Sequence, residues 1–385
     1  MSLNLGFLLL PKSLQPFPPY SDDDIMDRLY HRWTVFLLSL LAFVVLFASY
    51  VGDPIHCWCP AEFTDSHCNY TETLCWIDNT YFVAENDYAP IDISARERSE
   101  IKYYQWVPII LLFMAFCFKL PNVIWKTLNG KGGINLNKMI RVSCDVPFGE
   151  EREKRVEIIG NFLSIWLTRS RKTLKGPVHS IIEKLSACCC FCVGSGHGTY
   201  LAGLYLSTKL CYLAVSIGMF VLLNKFLAMD YTLYGAELMS HLIQNREIRE
   251  SPRFPRVTLC DFEIRQLQNI QRYTVQCVLS VNLYNEKIFA FLWFWFILVI
   301  ILGIYGYCTW FRNIIVPSCR KAYVTKYLQC NDKDHKTNAI ERKFIRDYLA
   351  TDGVFALRML EYNTSEMVVM DVVKSLWGKF QGVID

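Results

Sequence analysis

The first cysteine-rich stretch of the chain, from Cys57 to Cys75, reads CWCPAEFTDSHCNYTETLC. It holds four cysteines and the triplet Asn69-Tyr70-Thr71, which matches the acceptor pattern for N-linked glycans. Disulfides persist in oxidising compartments, and N-glycans occupy surface loops of secreted or exported segments. We therefore predict that this stretch is a loop outside the cell, with oxidised cysteines and a candidate glycosylation site at Asn69.

A second pair of cysteines, Cys260 and Cys277, has nearly the same spacing as the two cysteines at the ends of the first stretch. Matching pairs on two segments favour disulfides that join the segments to each other. Four cysteines allow three connectivities, and spacing does not choose among them. Inside the first stretch, Cys59 and Cys68 favour an additional local disulfide; free thiols or a bond between subunits are the alternatives.

A third group of cysteines lies in SACCCFCVGSGHG, residues 186–198, just before an apolar stretch. Cysteines next to a membrane span are typical sites of S-palmitoylation, and the alternative is inert thiols against the membrane. The spacing fits no paired zinc motif, so we predict no metal and no cofactor. The palmitoylation candidates are Cys188, Cys189, Cys190 and Cys192.

Four apolar stretches must position these groups. The chain has 385 residues, 52% of them apolar, and the apolar residues are concentrated rather than evenly spread. About 20 apolar residues are enough for a helix to cross a bilayer. We predict membrane spans at residues 33–52, 106–125, 200–227 and 288–311. The first starts too far into the chain for a cleaved signal peptide, so we expect a signal anchor that stays in the membrane.

The distribution of Lys and Arg predicts how the spans are oriented. Residues 126–199 carry twelve Lys and Arg residues, whereas residues 53–105 carry three, against ten Asp and Glu residues. Because cytoplasmic loops carry the excess of Lys and Arg, residues 126–199 are predicted to be cytoplasmic. Residues 53–105 and 228–287 then lie outside, in agreement with their cysteines. Both terminal segments, 1–32 and 312–385, are predicted to be cytoplasmic.

One hexapeptide resembles a family signature. YYQWVP resembles the signature of innexins, the invertebrate gap-junction proteins, and it consists of Tyr103, Tyr104, Gln105, Trp106, Val107 and Pro108. Further segments resemble innexin segments in the same order: PIHCW (54–58), FPRVTLCDFE (254–263), TVQCVL (274–279), NEKIFAFLWFWF (285–296), and DGVF (352–355) followed by LRM (357–359).

The resemblance implies an all-α membrane protein with four transmembrane helices. It also implies disulfide-joined extracellular loops with small β content and a helical cytoplasmic dome, for which the amphipathic residues 156–167 and 343–362 are candidate helices. Innexin subunits form rings around a pore, and two half-channels dock through their outer loops. The implied disulfide pairs are Cys57–Cys277 and Cys75–Cys260 within one subunit. Cys59, Cys68 and Asn69 depart from this pattern.

Charged residues near the spans are candidates for pore chemistry, since a ring of subunits turns one carboxylate into a ring of charge. Asp22, Asp23 and Asp24 form either an acidic ring at the inner mouth or a solvated helix N-terminus. Asp53 either lines the outer vestibule or, as we prefer, caps the loop before Pro54.

Lys209, near the start of the third predicted span, is predicted to snorkel to the interface; the alternative is a buried partner. Pro121 is predicted to kink the second span.

The predicted function is a subunit of a large-pore channel that forms gap junctions in the plasma membrane and passes ions and small molecules. The predicted partners are other innexin subunits, an opposing half-channel and membrane lipid. A glycan at Asn69 that prevents docking would instead give an undocked channel, and a non-conducting four-span adhesion or scaffold protein is a third possibility.

We predict no enzyme, since no P-loop, G-x-S-x-G, H-E-x-x-H or dinucleotide motif occurs. No basic face interleaved with aromatic residues indicates nucleic-acid binding.

Overall fold

The computed structural model describes residues 22–78, 80–83, 87–144, 150–172, 198–227, 231–244, 254–329 and 338–384. Within these residues, four helices are long and apolar enough to cross a membrane. They are span 1 (Ile25–Tyr50), span 2 (Tyr104–Asn129), span 3 (Tyr200–Phe226) and span 4 (Ser280–Ile315). Each overlaps one of the predicted stretches, and spans 2 and 4 extend beyond the prediction at both ends.

Two of the spans contain irregular or unusual positions. Span 1 passes through a π-helical turn at Leu29–Thr34, where the Thr34 hydroxyl donates to the carbonyl of Leu29 at 2.9 Å. Pro121 lies inside the continuous helical part of span 2, Val107–Asn129, rather than at its end. Many apolar side chains on the spans are exposed in the isolated chain, and these are the groups that lipid hydrocarbon would cover.

Shorter helices lie between and after the spans. They are α1 (Asp65–Asp78), α2 (Ile93–Arg98), α3 (Leu136–Cys144), α4 (Glu150–Lys172), α5 (Tyr234–Ile243), α6 (Pro317–Gln329), α7 (Asn338–Lys343), α8 (Ala350–Asn363) and α9 (Glu366–Ile384). The chain separates into two compact units. Unit 1 takes in the described residues of Met1–Arg28, Pro121–Tyr212 and Gly303–Asp385; unit 2 takes in those of Leu29–Leu120 and Leu213–Leu302.

Unit 2 contains a five-stranded antiparallel sheet built from both predicted outer loops. The strands are β1 (Ile55–Cys57), β2 (Thr80–Tyr81), β3 (Glu100–Ile101), β4 (Val257–Gln266) and β5 (Asn269–Leu279), in the order β1-β5-β4-β2-β3. Strands β4 and β5 form a long hairpin with a two-residue turn. Strands from the first loop therefore pair with both outer edges of the hairpin that the second loop supplies.

Unit 1 has a helical core. The amphipathic pattern at residues 156–167 does form a helix, α4, which buries Val156, Ile159 and Leu163. Residues 343–362 are also helical, through the end of α7, a π-helical turn and α8. Aromatic rings join these helices to the spans: Tyr205 of span 3 lies 4.8 Å from Trp310 and 5.0 Å from Phe355, between ring centroids.

Candidate functional site

The two loops are joined by two disulfides, and these loops are the first of two candidate sites. Cys57 of β1 lies opposite Cys277 of β5 in the strand register, and the two are bonded. Cys75, near the end of α1, is bonded to Cys260 of β4. These are the pairs that the family resemblance implied, and they cross sequence separations of 220 and 185 residues. The two loops are thus one covalently closed body.

A third disulfide, Cys59–Cys68, is local and spans nine residues. It holds the first turn of α1 against the chain that follows β1, and it is the local bond that the sequence analysis favoured over free thiols or a bond between subunits. The sulfurs of Cys57, Cys75 and Cys277 lie within 4.8 Å of one another, close enough to suggest a metal site. All three belong to disulfides, however, so they offer no thiolate to a metal.

A polar network adds a non-covalent connection between the loops. The Asp261 carboxylate on β4 accepts hydrogen bonds from Arg96 Nη1 at 2.7 Å, Thr274 Oγ1 at 2.8 Å and the Tyr81 hydroxyl at 3.0 Å. Partial burial opposes ionisation, but these donors and the Arg96 charge outweigh it and lower the pKa of Asp261. Burial and the neighbouring carboxylate raise the pKa of Tyr81 to about 12. Asp261 therefore stays charged and keeps α2 on the sheet.

The signature YYQWVP lies where β3 leads into span 2, and its residues connect three elements. The Tyr103 hydroxyl donates to Asn282 Oδ1 at 3.2 Å, at the start of span 4. Gln105 Nε2 donates to the carbonyl of Trp76, on α1. Tyr104, Val107 and Pro108 are buried, and Trp106 is exposed. The signature therefore has a structural role, connecting the start of span 2 to the start of span 4 and to α1 of the first loop.

Three predicted sites are less constrained by the structure. Asn69 is exposed on α1, and its glycosylation stays a prediction. Asp53 is exposed, and its backbone carbonyl accepts a hydrogen bond from Ser280 Oγ at 2.7 Å; a role at the vestibule also stays a prediction. The palmitoylation candidates from Cys188 to Cys192 lie outside the described residues.

The acidic run before span 1 is the second candidate site, and it lies in unit 1. Asp22, Asp23 and Asp24 are all at most 5% exposed. Asp22 Oδ2 accepts from Trp125 Nε1 at 2.9 Å and Asn129 Nδ2 at 3.0 Å, and burial together with the Asp23 charge raises its pKa. Asp23 pairs with Arg28 at 2.9 Å. The alternative of a solvated helix N-terminus is therefore wrong, because the protein interior supplies the partners.

Asp24 and Asp27 share a lysine from a distant part of the sequence. Lys209 Nζ of span 3 donates to Asp24 at 2.8 Å and to Asp27 at 2.9 Å, and its side chain is 4% exposed. The predicted snorkelling of Lys209 is thus wrong, because two carboxylates hold the ammonium inside the protein. Trp310 Nε1 donates to Asp24 at 2.6 Å, and the Tyr205 hydroxyl donates to Asp27 at 2.5 Å.

The same carboxylates stabilise the start of span 1. The Asp27 backbone N–H donates to Asp24 Oδ1 at 2.8 Å, so Asp24 caps the helix that begins at Ile25. Burial alone would raise the pKa of Asp24, but the Lys209 charge and the hydrogen bonds lower it. An acidic ring requires carboxylates open to a lumen, and within this chain all three are enclosed. A role for Asp22, Asp23 and Asp24 in ion selection stays a prediction.

Another buried carboxylate, that of Asp352, caps span 3. Asp352 of α8 accepts from the backbone N–H of Ala202 at 2.9 Å and also from those of Tyr200 and Leu201. Its own N–H donates to the carbonyl of Gly198 at 2.7 Å. Burial outweighs these hydrogen bonds and raises the pKa of Asp352 to about 6. The carboxyl-terminal helices are thereby attached to the first turn of a membrane helix.

The sequence analysis missed Asp27, Tyr205, Trp310 and Asp352 as site residues. One usable signal was present: Asp24 and Asp27 are three residues apart, on one face of a helix, and a membrane span contains an unexplained lysine. No comparable signal linked Asp352 to span 3, because its acceptor role depends on a contact across 150 residues of sequence.

Similarity to known proteins extends over nearly the whole chain. The family model named Innexin matches residues 23–380. The chain belongs to the innexin family. It is 36% identical to innexin unc-9 of Caenorhabditis elegans over 93% of this chain and 92% of that protein. It is 37% identical to innexin-3 of the same organism over 95% of this chain and 85% of that protein. Innexin-19 of this nematode is 34% identical, over 94% and 84%.

Membership agrees with the arrangement found here: four membrane-length helices, a small sheet and disulfides in the loops. Innexins are gap-junction channel proteins. This innexin is a channel subunit, and it is a multi-pass membrane protein.

Proposed function

We propose that this innexin assembles with other innexin subunits into a ring around a pore in the plasma membrane. Residues 53–105 and 228–287 lie outside the cell in this proposal, and both termini are cytoplasmic. Two features support the orientation. The loop cysteines are oxidised, as in an extracellular environment, and the Lys- and Arg-rich segment 126–199 suits the cytoplasmic side.

The observation that carries the proposed function is the shared sheet. Strands β1 and β2 of the first loop pair with β5 and β4 of the second, and two disulfides cross the same boundary. Two loops joined in this way move as one body, which suits a face that must fit an opposing half-channel. We propose that these faces dock between cells, so that ions and small molecules pass from one cytoplasm to the next.

A second candidate function is favoured by one residue. Asn69 is exposed on α1, immediately after the disulfide-bonded Cys68. A glycan is bulky, and at this position it would stand on the outer side of the first loop. In that case the ring would work as an undocked channel between the cytoplasm and the exterior.

Dual voltage clamp on paired cells tests both functions. The wild type is compared with Asn69→Gln, which removes the acceptor, and with Thr71→Ser, which keeps the acceptor pattern and the hydroxyl that donates to His67. Surface labelling confirms that each form reaches the membrane. Current between wild-type cells supports docking. Junctional current in Asn69→Gln alone supports the glycan-blocked channel. Expression at the surface with neither junctional nor single-cell current contradicts both candidates.

A further inference from the structure

The three loop disulfides differ in their accessibility to solvent. The sulfur-bearing side chains of Cys75, Cys260 and Cys277 are fully buried. Cys59 and Cys68 are partly exposed, and they close a short loop in which Ala61, Glu62 and most of their neighbours are exposed. Cys57 is partly exposed as well, so Cys59–Cys68 is the loop disulfide that is partly exposed at both of its ends.

We propose that the Cys59–Cys68 disulfide is a modification site, at which a low-molecular-weight thiol such as glutathione exchanges while the other four loop cysteines stay paired. The proposal concerns this chain in particular, because the pattern of two cysteines per loop does not include Cys59 and Cys68. It does not depend on whether two half-channels dock.

The chemistry is thiol–disulfide exchange in two steps. The thiolate of one small thiol attacks the sulfur of Cys59 or Cys68; the protein disulfide breaks, a mixed disulfide forms, and the other cysteine leaves as a thiolate and takes up a proton. A second small thiol then attacks the mixed disulfide and leaves with the first as an oxidised dimer. Two small thiols thus supply the two electrons that reduce one protein disulfide, and the intermediate is an S-thiolated protein.

The geometry explains why exchange would stop at one bond. Exchange requires that the attacking thiolate reach a sulfur atom, so its rate depends on access. The Cys57–Cys277 bond joins paired strands of the sheet, with Cys57 partly exposed and Cys277 fully buried, and the Cys75–Cys260 bond is buried at both ends. The exposed bond lies beside them: the sulfurs of Cys59 and Cys68 are 3.7 and 3.9 Å from the Cys57 carbonyl oxygen.

The expected structural consequence is limited to the beginning of α1. Cys68 lies in the first turn of α1, whereas Cys75 lies in its last turn and stays bonded to β4. Glu72 Oε1, between them, accepts from the Cys57 backbone N–H at 3.1 Å. Exchange would therefore release residues 60–68, next to Asn69, and leave the five-stranded sheet closed.

Purified full-length protein in detergent tests the proposal. Free thiols are blocked with N-ethylmaleimide, glutathione is titrated, new thiols are trapped with iodoacetamide, and peptides are identified by mass spectrometry. We expect glutathione adducts or trapped thiols at Cys59 and Cys68 at concentrations about ten-fold lower than at the other four loop cysteines. Unfolded protein is the control, in which all three bonds should react together.

The variant Cys59→Ser/Cys68→Ser completes the test. It should lose the adducts formed at low glutathione, while Cys57–Cys277 and Cys75–Cys260 keep the resistance they have in the wild type. The proposal is overturned if the joining disulfides react at the same concentration as Cys59–Cys68 in the folded wild type. It is equally overturned if maleimide blocks Cys59 and Cys68 before any reductant is added, since no disulfide would then exist to exchange.

Discussion

The loop sheet of unit 2 and the acidic cluster of unit 1 connect equally distant parts of the sequence by different chemistry. The disulfide Cys75–Cys260 spans 185 residues, and the ion pair between Asp24 and Lys209 spans the same number. Disulfides persist in oxidising surroundings, whereas thiols stay reduced in the cytoplasm. In the proposed orientation each region uses the cross-link that its own side of the membrane permits.

The difference also determines what can weaken each region. A disulfide is a covalent bond that salt does not screen, but a reductant breaks it. A buried ion pair is insensitive to reductants, but it is destabilising as soon as one partner is removed, because the remaining charge is left without water or a counter-charge. A reductant should therefore weaken the loop sheet and leave the acidic cluster intact, whereas removal of one charge should weaken the acidic cluster and leave the loop disulfides intact.

The largest effect is expected for Lys209→Met. Two carboxylates would remain buried without their cation, at a cost of about 3–5 kcal/mol. We expect a sharp loss of thermal stability, measured on purified protein by size-exclusion chromatography after heating. The compensating variant Lys209→Met/Asp24→Asn/Asp27→Asn should recover most of the loss. All three loop disulfides should stay intact by non-reducing mass spectrometry; their loss would mean that the two regions are not independent.

The next largest effect is expected for Cys75→Ser or Cys260→Ser. Removing a native disulfide costs about 2–5 kcal/mol and here also releases α1 from β4. We expect junctional conductance to be abolished in paired cells, while the protein still reaches the membrane. The double variant should behave as either single one does, since the same bond is lost. Normal currents from either single variant would show that the joined loops are not required for conduction.

The third experiment concerns pH and Asp352. Folding raises the pKa of this carboxyl from 3.8 to about 6, so the folded state binds the proton more tightly than the unfolded state. The tighter proton binding adds roughly 3 kcal/mol to the free energy of unfolding. This stabilisation is fully present below pH 4 and is lost as the pH rises through 6. Asp352→Asn mimics the protonated form and keeps an acceptor for the N–H groups of span 3.

We therefore expect Asp352→Asn to raise the melting temperature at pH 7.5 and to reduce the change in melting temperature between pH 7.5 and pH 5. Asp352→Ala also removes the charge but loses the cap, so its free energy of unfolding should be about 1 kcal/mol lower than that of Asp352→Asn at both pH values. A variant Asp352→Asn that is less stable than wild type at pH 7.5 would mean that the carboxylate charge is net stabilising at the start of span 3.

The smallest effect is expected for Arg96→Gln. This change removes the charged donor of Asp261 in a partly exposed site that the disulfides already hold, so we expect a loss of about 1 kcal/mol. Arg98→Gln is the matched control, because Arg98 is on the same helix and donates only to the Ser94 carbonyl among its described contacts. Equal melting temperatures for the two variants would show that the Asp261 network adds nothing to the disulfides.

Much of the fold was predictable from the sequence because the signals were strong and local. Uninterrupted apolar stretches locate spans, and the alternation in VTLCDFEIRQ suits a strand with one buried face, as β4 is. Strands β2 and β3, with two residues each, are too short to give any periodic signal. The disulfide pairing came from the family resemblance, since spacing left three connectivities open.

The candidate site was less predictable, because its partners meet only through tertiary structure. The sequence places Lys209 within reach of the interface, and only the packing of span 3 beside Asp24 and Asp27 shows that the lysine points into the protein instead. For Asp22 to Asp24 the sequence left an acidic ring and a solvated helix N-terminus as equal alternatives, because charged residues are usually exposed. Their burial follows from donors on other elements, such as Trp125, Asn129 and Trp310, that no local pattern associates with them.

The position of the hairpin between strands of the first loop also sets an order of events during biosynthesis. Cys59 and Cys68 can bond as soon as the first loop is translocated, whereas Cys75 must wait for Cys260, 185 residues later. At ordinary rates of translation that delay is roughly 10–40 s. During it, Cys57 and Cys75 are unpaired thiols on the same short segment, able to bond wrongly with each other. A wrong Cys57–Cys75 bond would have to be exchanged for the two joining disulfides once Cys260 and Cys277 follow span 3.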